Sequence, residues 1–179
     1  MPGRIPPSAR VVALAVATLL LLPAGAPARD RDGCLAGGPV QAELNRVRAE
    51  AGVAPVRRRP ALARAACAYA GDMVARRFFS HTSPEGDGPA DRARGAGYLR
   101  HFPSWRVGEI LQWARAPVFR PADAAARWLA SPAHRAILLS PAYRDVGVGV
   151  APGAPTGDAS PTPAVTIAVL FGDRSRARR

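Results

Sequence analysis

The chain has 179 residues and a formal net charge of +12 at pH 7, from 25 basic and 13 acidic residues. Its length suffices for one domain with a complete hydrophobic core. The excess of arginine indicates either a surface that binds anionic polymers or a compositional bias shared with alanine, proline and glycine. No basic stretch is interleaved with aromatic residues that could stack on bases, and the export signal described next also argues against a nucleic-acid partner, so none is expected.

The N-terminal segment, residues 1–28, has the features of a secretory signal peptide. Arg4 and Arg10 precede an uncharged apolar run over residues 11–22, and small residues suited to a cleavage site end at Ala28. A retained membrane anchor is the alternative, but a run of about 12 residues is shorter than the ~20 that span a bilayer. We therefore expect cleavage after Ala28 and secretion of the mature chain.

The mature chain is expected to contain a linker over residues 29–38, a domain over residues 39–172 and a basic tail over residues 173–179. No second apolar run could span a membrane, and we expect a monomer. The sequence contains two cysteines, Cys34 and Cys67. An even number of cysteines in an exported chain favours a disulfide, with two unrelated buried thiols as the alternative.

Apolar periodicity predicts two helices at the start of the domain. Apolar residues from Val40 to Val47 recur at the spacing of one helical face, which predicts a helix over residues 39–50. Residues 53–59 have the character of a connector. A second helix is predicted over residues 60–77, with a proline at its first position.

The rest of the domain is predicted to combine short helices with extended segments. The expected elements, in chain order, are a polar turn (83–89), a short helix (91–96), a loop (98–103), an extended segment (106–113), a helix that begins at residue 121, a further short helix (132–139), a strand of alternating valine and glycine (145–151), a mobile loop (152–163) and a central apolar strand (164–171). Because helices come first and strands cluster late, the order favours an α+β fold over alternating βαβ units.

Two histidines and a glutamate lie in local contexts that suggest a shared site. His81 lies in a Phe-Ser-His segment, Glu109 in a Gly-Glu step and His134 in a Ser-Pro-Ala-His segment. Imidazole and carboxylate groups together are common in transition-metal and proton-transfer sites. The third histidine, His101, has no comparable context.

Taken together, these segments resemble the CAP superfamily, which comprises cysteine-rich secretory proteins, antigen 5 and pathogenesis-related 1 proteins. The resemblance covers residues 40–171 and is strongest to compact, secreted bacterial members. The segments that carry it are Leu44-Asn45-Arg46-Val47-Arg48, Phe79-Ser80-His81, Gly108-Glu109, Ser131-Pro132-Ala133-His134-Arg135 and Asp145-Val146-Gly147-Val148-Gly149. The resemblance implies a three-layer α-β-α sandwich, a fold of the α+β class.

The resemblance also implies a central cleft, which two histidines and two glutamates line in the wider family. His81, Glu109 and His134 match three of these positions, and Ser131 stands at the fourth. His81 and His134 would be nitrogen ligands of zinc or another divalent metal, with Glu109 as a third ligand or as the group that orients one imidazole. The alternative is a buried polar network in which Glu109 bridges the two histidines.

Two classes of function are open for this cleft. A hydrolase needs an activated nucleophile, but Ser80, Ser83 and Ser131 lack the context of a nucleophile elbow. A binding module needs an apolar rim, which five aromatic residues near the cleft segments could supply unless they belong to the core: Phe78, Phe79, Trp105, Trp113 and Phe119.

Some family members bind sterols or other lipids, so the resemblance implies a lipid or an anionic envelope polymer as the partner. We expect an extracellular, non-enzymatic binding module. A metal-dependent hydrolase or peptidase that uses the same cleft is the alternative.

Overall fold

The computed structural model describes residue 34 and residues 37–115, 119–157 and 162–175. The predicted signal peptide, most of the predicted linker and residues 176–179 of the predicted tail lie outside the described residues. The elements, in chain order, are α1 (Gly38–Glu50), β1 (Arg57–Arg58), α2 (Pro60–Arg76), α3 (Pro89–Gly95), β2 (Ser104–Arg115), α4 (Pro121–Ala130), α5 (Pro132–Leu138), β3 (Asp145–Pro152) and β4 (Ala164–Ser175).

The strands form a four-stranded sheet in the order β1-β3-β4-β2. β4 is antiparallel to both β3 and β2, and β1 is parallel to β3. The position of β4 between two partners confirms the prediction that the last strand is central. Such a strand is covered on both faces, which explains its nearly continuous apolar sequence.

The sheet extends beyond the sequence-based prediction at β1 and at the end of β4, and β2 (Ser104–Arg115) is two residues longer at each end than the predicted segment. The predicted connector over residues 53–59 contains β1, whose two residues pair with Asp145 and Val146. Two exposed arginines give no alternating apolar pattern, so the sequence carried no signal for this strand. β4 also continues to Ser175, because its last residues pair with the start of β2, and the first part of the predicted basic tail is therefore strand.

Helices cover both faces of the sheet. Along β4, Ile167, Val169 and Phe171 belong to the core that α1, α4 and α5 share with the sheet. The alternate residues Ala168 and Leu170 belong to a second core with α2 and α3. Since successive side chains of a strand point to opposite faces, this division confirms the three-layer α-β-α sandwich. None of the described helices combines the length and the apolar character needed to cross a membrane.

Helix α2 lies directly against β3. A Cβ atom at Gly147 would lie 2.1 Å from the carbonyl carbon of Leu62, and one at Gly149 would lie 2.2 Å from that of Ala66. Both contacts are with backbone, so no side-chain rotation could relieve them. The alternating glycines of β3 thus allow α2 to approach the strand closely.

A disulfide joins Cys34 to Cys67, across a sequence separation of 33 residues. The bond confirms the predicted pairing and excludes two unrelated thiols. It attaches the segment before α1 to the middle of α2, on the helix that packs against β3.

Candidate functional site

His81 lies in the loop that follows α2. The helix ends at Arg77, whose left-handed conformation (φ 58°) turns the chain away from the helix axis. Tyr69, on the buried face of α2, donates a hydrogen bond from its hydroxyl to the carbonyl oxygen of Ser80 (2.6 Å). Burial raises the pKa of Tyr69, which keeps this donor protonated. The tether fixes the backbone beside His81, whose side chain remains 52% exposed.

Glu109 points from β2 into the layer that contains α2 and α3. Its strand neighbours on the same face, Val107 and Leu111, pack in the core of that layer. The side chain of Glu109 is only 1% exposed. A buried carboxylate requires hydrogen-bonded partners, and each of its oxygens has one. Oε1 lies 2.9 Å from Nδ1 of His81, and Oε2 lies 2.7 Å from Nη2 of Arg92.

Arg92 is the member of this cluster that sequence reasoning missed. From α3 it donates to Glu109, to the carbonyl oxygen of His81 (3.0 Å) and to that of Asp87 (2.8 Å). Its guanidinium carbon lies 3.4 Å from the ring centroid of Tyr69. Arg92 therefore neutralises Glu109 and ties α3, β2 and the His81 loop together. Only the burial of Glu109 signals a need for such a cation, and burial is not visible in the sequence.

The hydrogen bond to Glu109 orients the His81 ring. A carboxylate that also accepts from Arg92 can only accept from Nδ1, so the proton of a neutral ring lies on Nδ1. Nε2 then carries a free lone pair. This is the arrangement in which a carboxylate orients an imidazole for a metal ion or a hydrogen-bond donor.

His134 lies in α5, close enough to His81 for the charge of that ring to affect the pKa of His134. Burial lowers the pKa of His134, and the positive charge that His81 can carry lowers it further. Gly108 lets this helix approach β2, since a Cβ there would lie 2.5 Å from the hydroxyl of Tyr143 and 3.2 Å from Cγ2 of Ile137. Because its pKa is lowered, His134 is neutral near pH 7 and able to accept a hydrogen bond or bind a metal.

Ser131 forms the joint between α4 and α5. Its backbone is extended (φ −95°, ψ 118°), and its carbonyl oxygen accepts the first hydrogen bond of α5, from the amide of Arg135 (2.8 Å). Its hydroxyl makes no capping hydrogen bond within the described structure. Ser131 thus positions the helix that carries His134, and its contribution to a cleft stays a prediction.

The aromatic residues divide between core and surface. Phe78 packs against the α2/α3 core and meets the ring of Tyr69 edge-on at 5.9 Å, whereas Phe119 packs against the other core. Phe79 and Trp105 are exposed, at 40% and 39%. Trp113 is half-buried, and of the two exposed aromatics Phe79 lies nearer to His81 in the sequence.

A groove of about 560 Å³ adjoins the cluster on the α2/α3 side. Its apolar lining consists of Ala65, Ala68, Tyr69 and Ala96, and Arg92 is among its polar lining residues. The rim is polar and carries both signs of charge: Arg64, Asp72, Glu85 and Asp87. The groove therefore combines an apolar floor with charged groups at its edge.

The donor set fits a metal ion only in part. Across the described ranges of the chain, no group of three or more histidine, cysteine, aspartate or glutamate side chains is arranged to hold a metal. Both oxygens of Glu109 are already engaged, which places this residue behind His81 rather than beside a metal. His81 and His134 are the two nitrogen donors that a divalent ion could use, and their predicted role as ligands stays a prediction.

Two solved structures of other proteins have folds similar to that of this chain. A search of the curated proteins found no match. An outer surface protein from Borrelia burgdorferi is similar, with a TM-score of 0.60 at 22% identity over 76% of this chain and 90% of that one. An extracellular protein containing a SCP domain from Bacillus anthracis str. Ames has a TM-score of 0.57 at 22% identity, over 82% of this chain and 44% of that one. This chain therefore spans less than half of the second protein.

The family model described as the cysteine-rich secretory protein family, CAP, matches residues 41–169, which is well over half of the chain. The matched range begins in α1, ends in β4 and includes His81, Glu109 and His134. The chain belongs to the cysteine-rich secretory protein (CAP) family.

Proposed function

We propose that the protein is a secreted, non-enzymatic binding module that takes an amphipathic lipid. The apolar chain of the lipid lies along the groove, and its polar head lies beside the cleft of His81, Glu109 and His134. The observation that carries this proposal is the groove itself, about 560 Å³ in volume, which adjoins the hydrogen-bonded Arg92–Glu109–His81 cluster. Its size is typical of small-molecule sites, which are concave and mostly apolar with a few placed polar groups.

One cation at the rim of the groove, Arg64, is available to an anionic head group. Arg76 binds Glu85 at 2.6 Å and lies 3.6 Å from Asp72, so two of the three rim carboxylates share one cation. Arg64 has no side-chain partner among the described residues. Its guanidinium is thus available to a carboxylate or phosphate at the edge of the groove.

The hydroxyl groups of the site argue against the alternative, a hydrolase. Ser80 Oγ accepts a hydrogen bond from the amide of Thr82 (3.1 Å), and Ser83 Oγ accepts one from the amide of Asp87 (3.2 Å). Both serines therefore stabilise turns. A nucleophilic serine needs a base within hydrogen-bond distance, and within the described ranges no serine is bonded to His81 or His134.

The test is the binding of a fluorescent fatty acid, cis-parinaric acid, to the purified protein and to Ala68→Glu. Ala68 is an exposed residue of α2 in the groove, so a carboxylate there blocks the groove without disturbing the core. Ala126→Glu, an exposed site on α4, is the matched control. We expect affinity to fall at least about tenfold in Ala68→Glu and to be unchanged in the control. Equal affinities of all three proteins, or no binding by the wild type, would reject the proposal.

A divalent metal at His81 and His134 is a second candidate, favoured by the free Nε2 that the Glu109 hydrogen bond leaves on His81. Calorimetric titration of Zn²⁺ into the wild type and into His81→Ala/His134→Ala tests it. Micromolar binding that disappears in the double variant would support the metal and would justify assays of ester and peptide hydrolysis with Zn²⁺ present. No binding, or equal binding by both proteins, would exclude it.

A further inference from the structure

A second cavity, of about 490 Å³, lies at the end of the sheet where β3 begins and β4 ends. Its charged lining consists of four arginines and two aspartates: Arg57, Arg59, Arg144, Arg174, Asp145 and Asp173. No lining residue is shared with the groove beside Arg92. The cavity therefore has an excess of two positive charges, and no histidine is among its described lining residues.

One of the two aspartates is already neutralised. Asp145 is buried and accepts hydrogen bonds from the hydroxyl of Tyr98 (2.9 Å) and from Nε of Arg59 (2.8 Å). Both contacts satisfy the carboxylate within the wall of the cavity. A ligand anion would therefore meet Asp145 as part of a neutral pair.

A second arginine is held rigidly in the wall. Arg174 donates a hydrogen bond to the carbonyl oxygen of Tyr98. Its guanidinium carbon also lies 4.3 Å from the ring centroid of Tyr98 and 4.1 Å from that of Phe102. Stacking fixes the plane of the guanidinium, so the charge of Arg174 is placed before any ligand arrives.

The remaining two arginines have free donors. The side chain of Arg57 has no partner among the described residues. Arg144 is 83% exposed, and its nearest carboxylate oxygen, in Asp173, lies 3.8 Å from Nε. That separation exceeds the distance of a hydrogen bond. The backbones of the two residues are joined, because the amide of Arg57 donates to the carbonyl oxygen of Arg144 (2.8 Å). The two guanidinium groups therefore project from neighbouring backbone positions.

We propose that this cavity binds a phosphate monoester. Near pH 7 such a group carries a charge of about −1.5 to −2, which matches the excess of positive charge in the cavity. The planar fork of a guanidinium also binds phosphate oxygens in pairs. Arg57 and Arg144 supply the free donors, Arg174 supplies a fixed charge, and Arg59 stays with Asp145. The same chemistry occurs in soluble phosphorylated molecules and in the head group of phosphatidic acid.

The test uses two probes on the full protein. Glycerol 3-phosphate, titrated by calorimetry, represents the soluble source. Phosphatidylcholine vesicles with and without phosphatidic acid, in a sedimentation assay, represent the lipid source. The test variant is Arg57→Gln/Arg144→Gln, which removes two exposed side chains and only one long ion pair, that of Arg144 with Asp173 at 3.8 Å. The matched control is Arg120→Gln/Arg127→Gln, which removes the same charge from exposed sites at the start of α4 and on its surface.

We expect the wild type to bind at least one probe, and the probe that binds identifies the source. Affinity should fall at least about tenfold in Arg57→Gln/Arg144→Gln and stay near the wild-type value in the control. Because arginines do not titrate, wild-type affinity for the dianion should not fall between about pH 7 and pH 9. Equal loss in both variants would mean that only net charge matters, and this outcome would overturn the proposal. If the wild type binds neither probe, the proposal is also overturned.

Discussion

Each carboxylate oxygen of Glu109 binds a side chain from a different part of the fold, His81 from the loop after α2 and Arg92 from α3. The local Gly-Glu and Phe-Ser-His contexts made Glu109 and His81 predictable as members of one site. Arg92 was not predictable, because one arginine among many carries no local signal. Its role depends on how α3 folds against β2, which is a property of tertiary structure.

Removal of the Glu109 carboxylate should destabilise the fold, because it leaves the buried Arg92 without a counter-charge. For Glu109→Ala we expect the free energy of unfolding to fall by about 3–5 kcal/mol. Glu50→Ala, which removes an exposed partner of Arg46, should cost less than about 1 kcal/mol. Urea unfolding followed by circular dichroism measures both. If both variants lost less than about 1 kcal/mol in the free energy of unfolding, Arg92 would not need the charge of Glu109.

The lowered pKa of His134 predicts a loss of stability in mild acid. The unfolded chain takes up this proton below about pH 6.5, whereas the folded protein resists it. The contribution of His134 to stability is therefore complete above about pH 6.5 and decreases as the pH falls towards the folded value. His134→Gln should reduce the drop in the urea midpoint between about pH 7.5 and pH 5.5. His101→Asn, at an exposed site with positive φ, should leave that drop unchanged.

At the scale of elements, strong local signals gave correct predictions. Both long helices were predicted from apolar periodicity and an initial proline, and β4 from its apolar run. β1 was missed because a strand of two exposed residues exists only through its pairing with β3. The layer that each helix joins was not predicted, since periodicity identifies a buried face but not its partner.

The contact between α2 and β3 can be tested at one glycine. Gly149→Ala places a methyl group where backbone atoms of Ala66 and Cys67 lie, so α2 must move. We expect a loss of about 1–3 kcal/mol or more in the free energy of unfolding. Gly71→Ala, in α2 itself, has open space around its Cβ and should stabilise the protein by about 0.5–1 kcal/mol. The opposite order of stabilities would contradict the packing of α2 on β3.

At the scale of the whole molecule, the disulfide closes a large loop. The segment between Cys34 and Cys67 contains α1, β1 and the first half of α2. In the chain-entropy model a loop of this size is worth about 3–4 kcal/mol. Cys34→Ala/Cys67→Ala should therefore lower the unfolding midpoint, and dithiothreitol should lower the midpoint of the wild type but not of the double variant. Equal sensitivity of both proteins to dithiothreitol would contradict this assignment.

The fold was more predictable than the site for a physical reason. The elements follow from apolar patterning and the layers from the family resemblance, both of which are spread over much of the chain. The site depends on a few short contacts, such as the 2.7 Å hydrogen bond from Nη2 of Arg92 to Oε2 of Glu109. The second cavity was not visible in the sequence, because its arginines come from β1 and the residue after it, from the residue before β3 and from the end of β4.

The contact of β3 with α2 also has an evolutionary consequence. No side chain, however small, fits at Gly147 or Gly149 while Leu62 and Ala66 keep their places. Across homologues these two positions should thus vary as little as His81 or Glu109, although they touch no ligand. Invariance in this family would then mark two different constraints, one on recognition and one on the distance between a helix and a strand. Only a map of which atoms each residue meets can tell them apart.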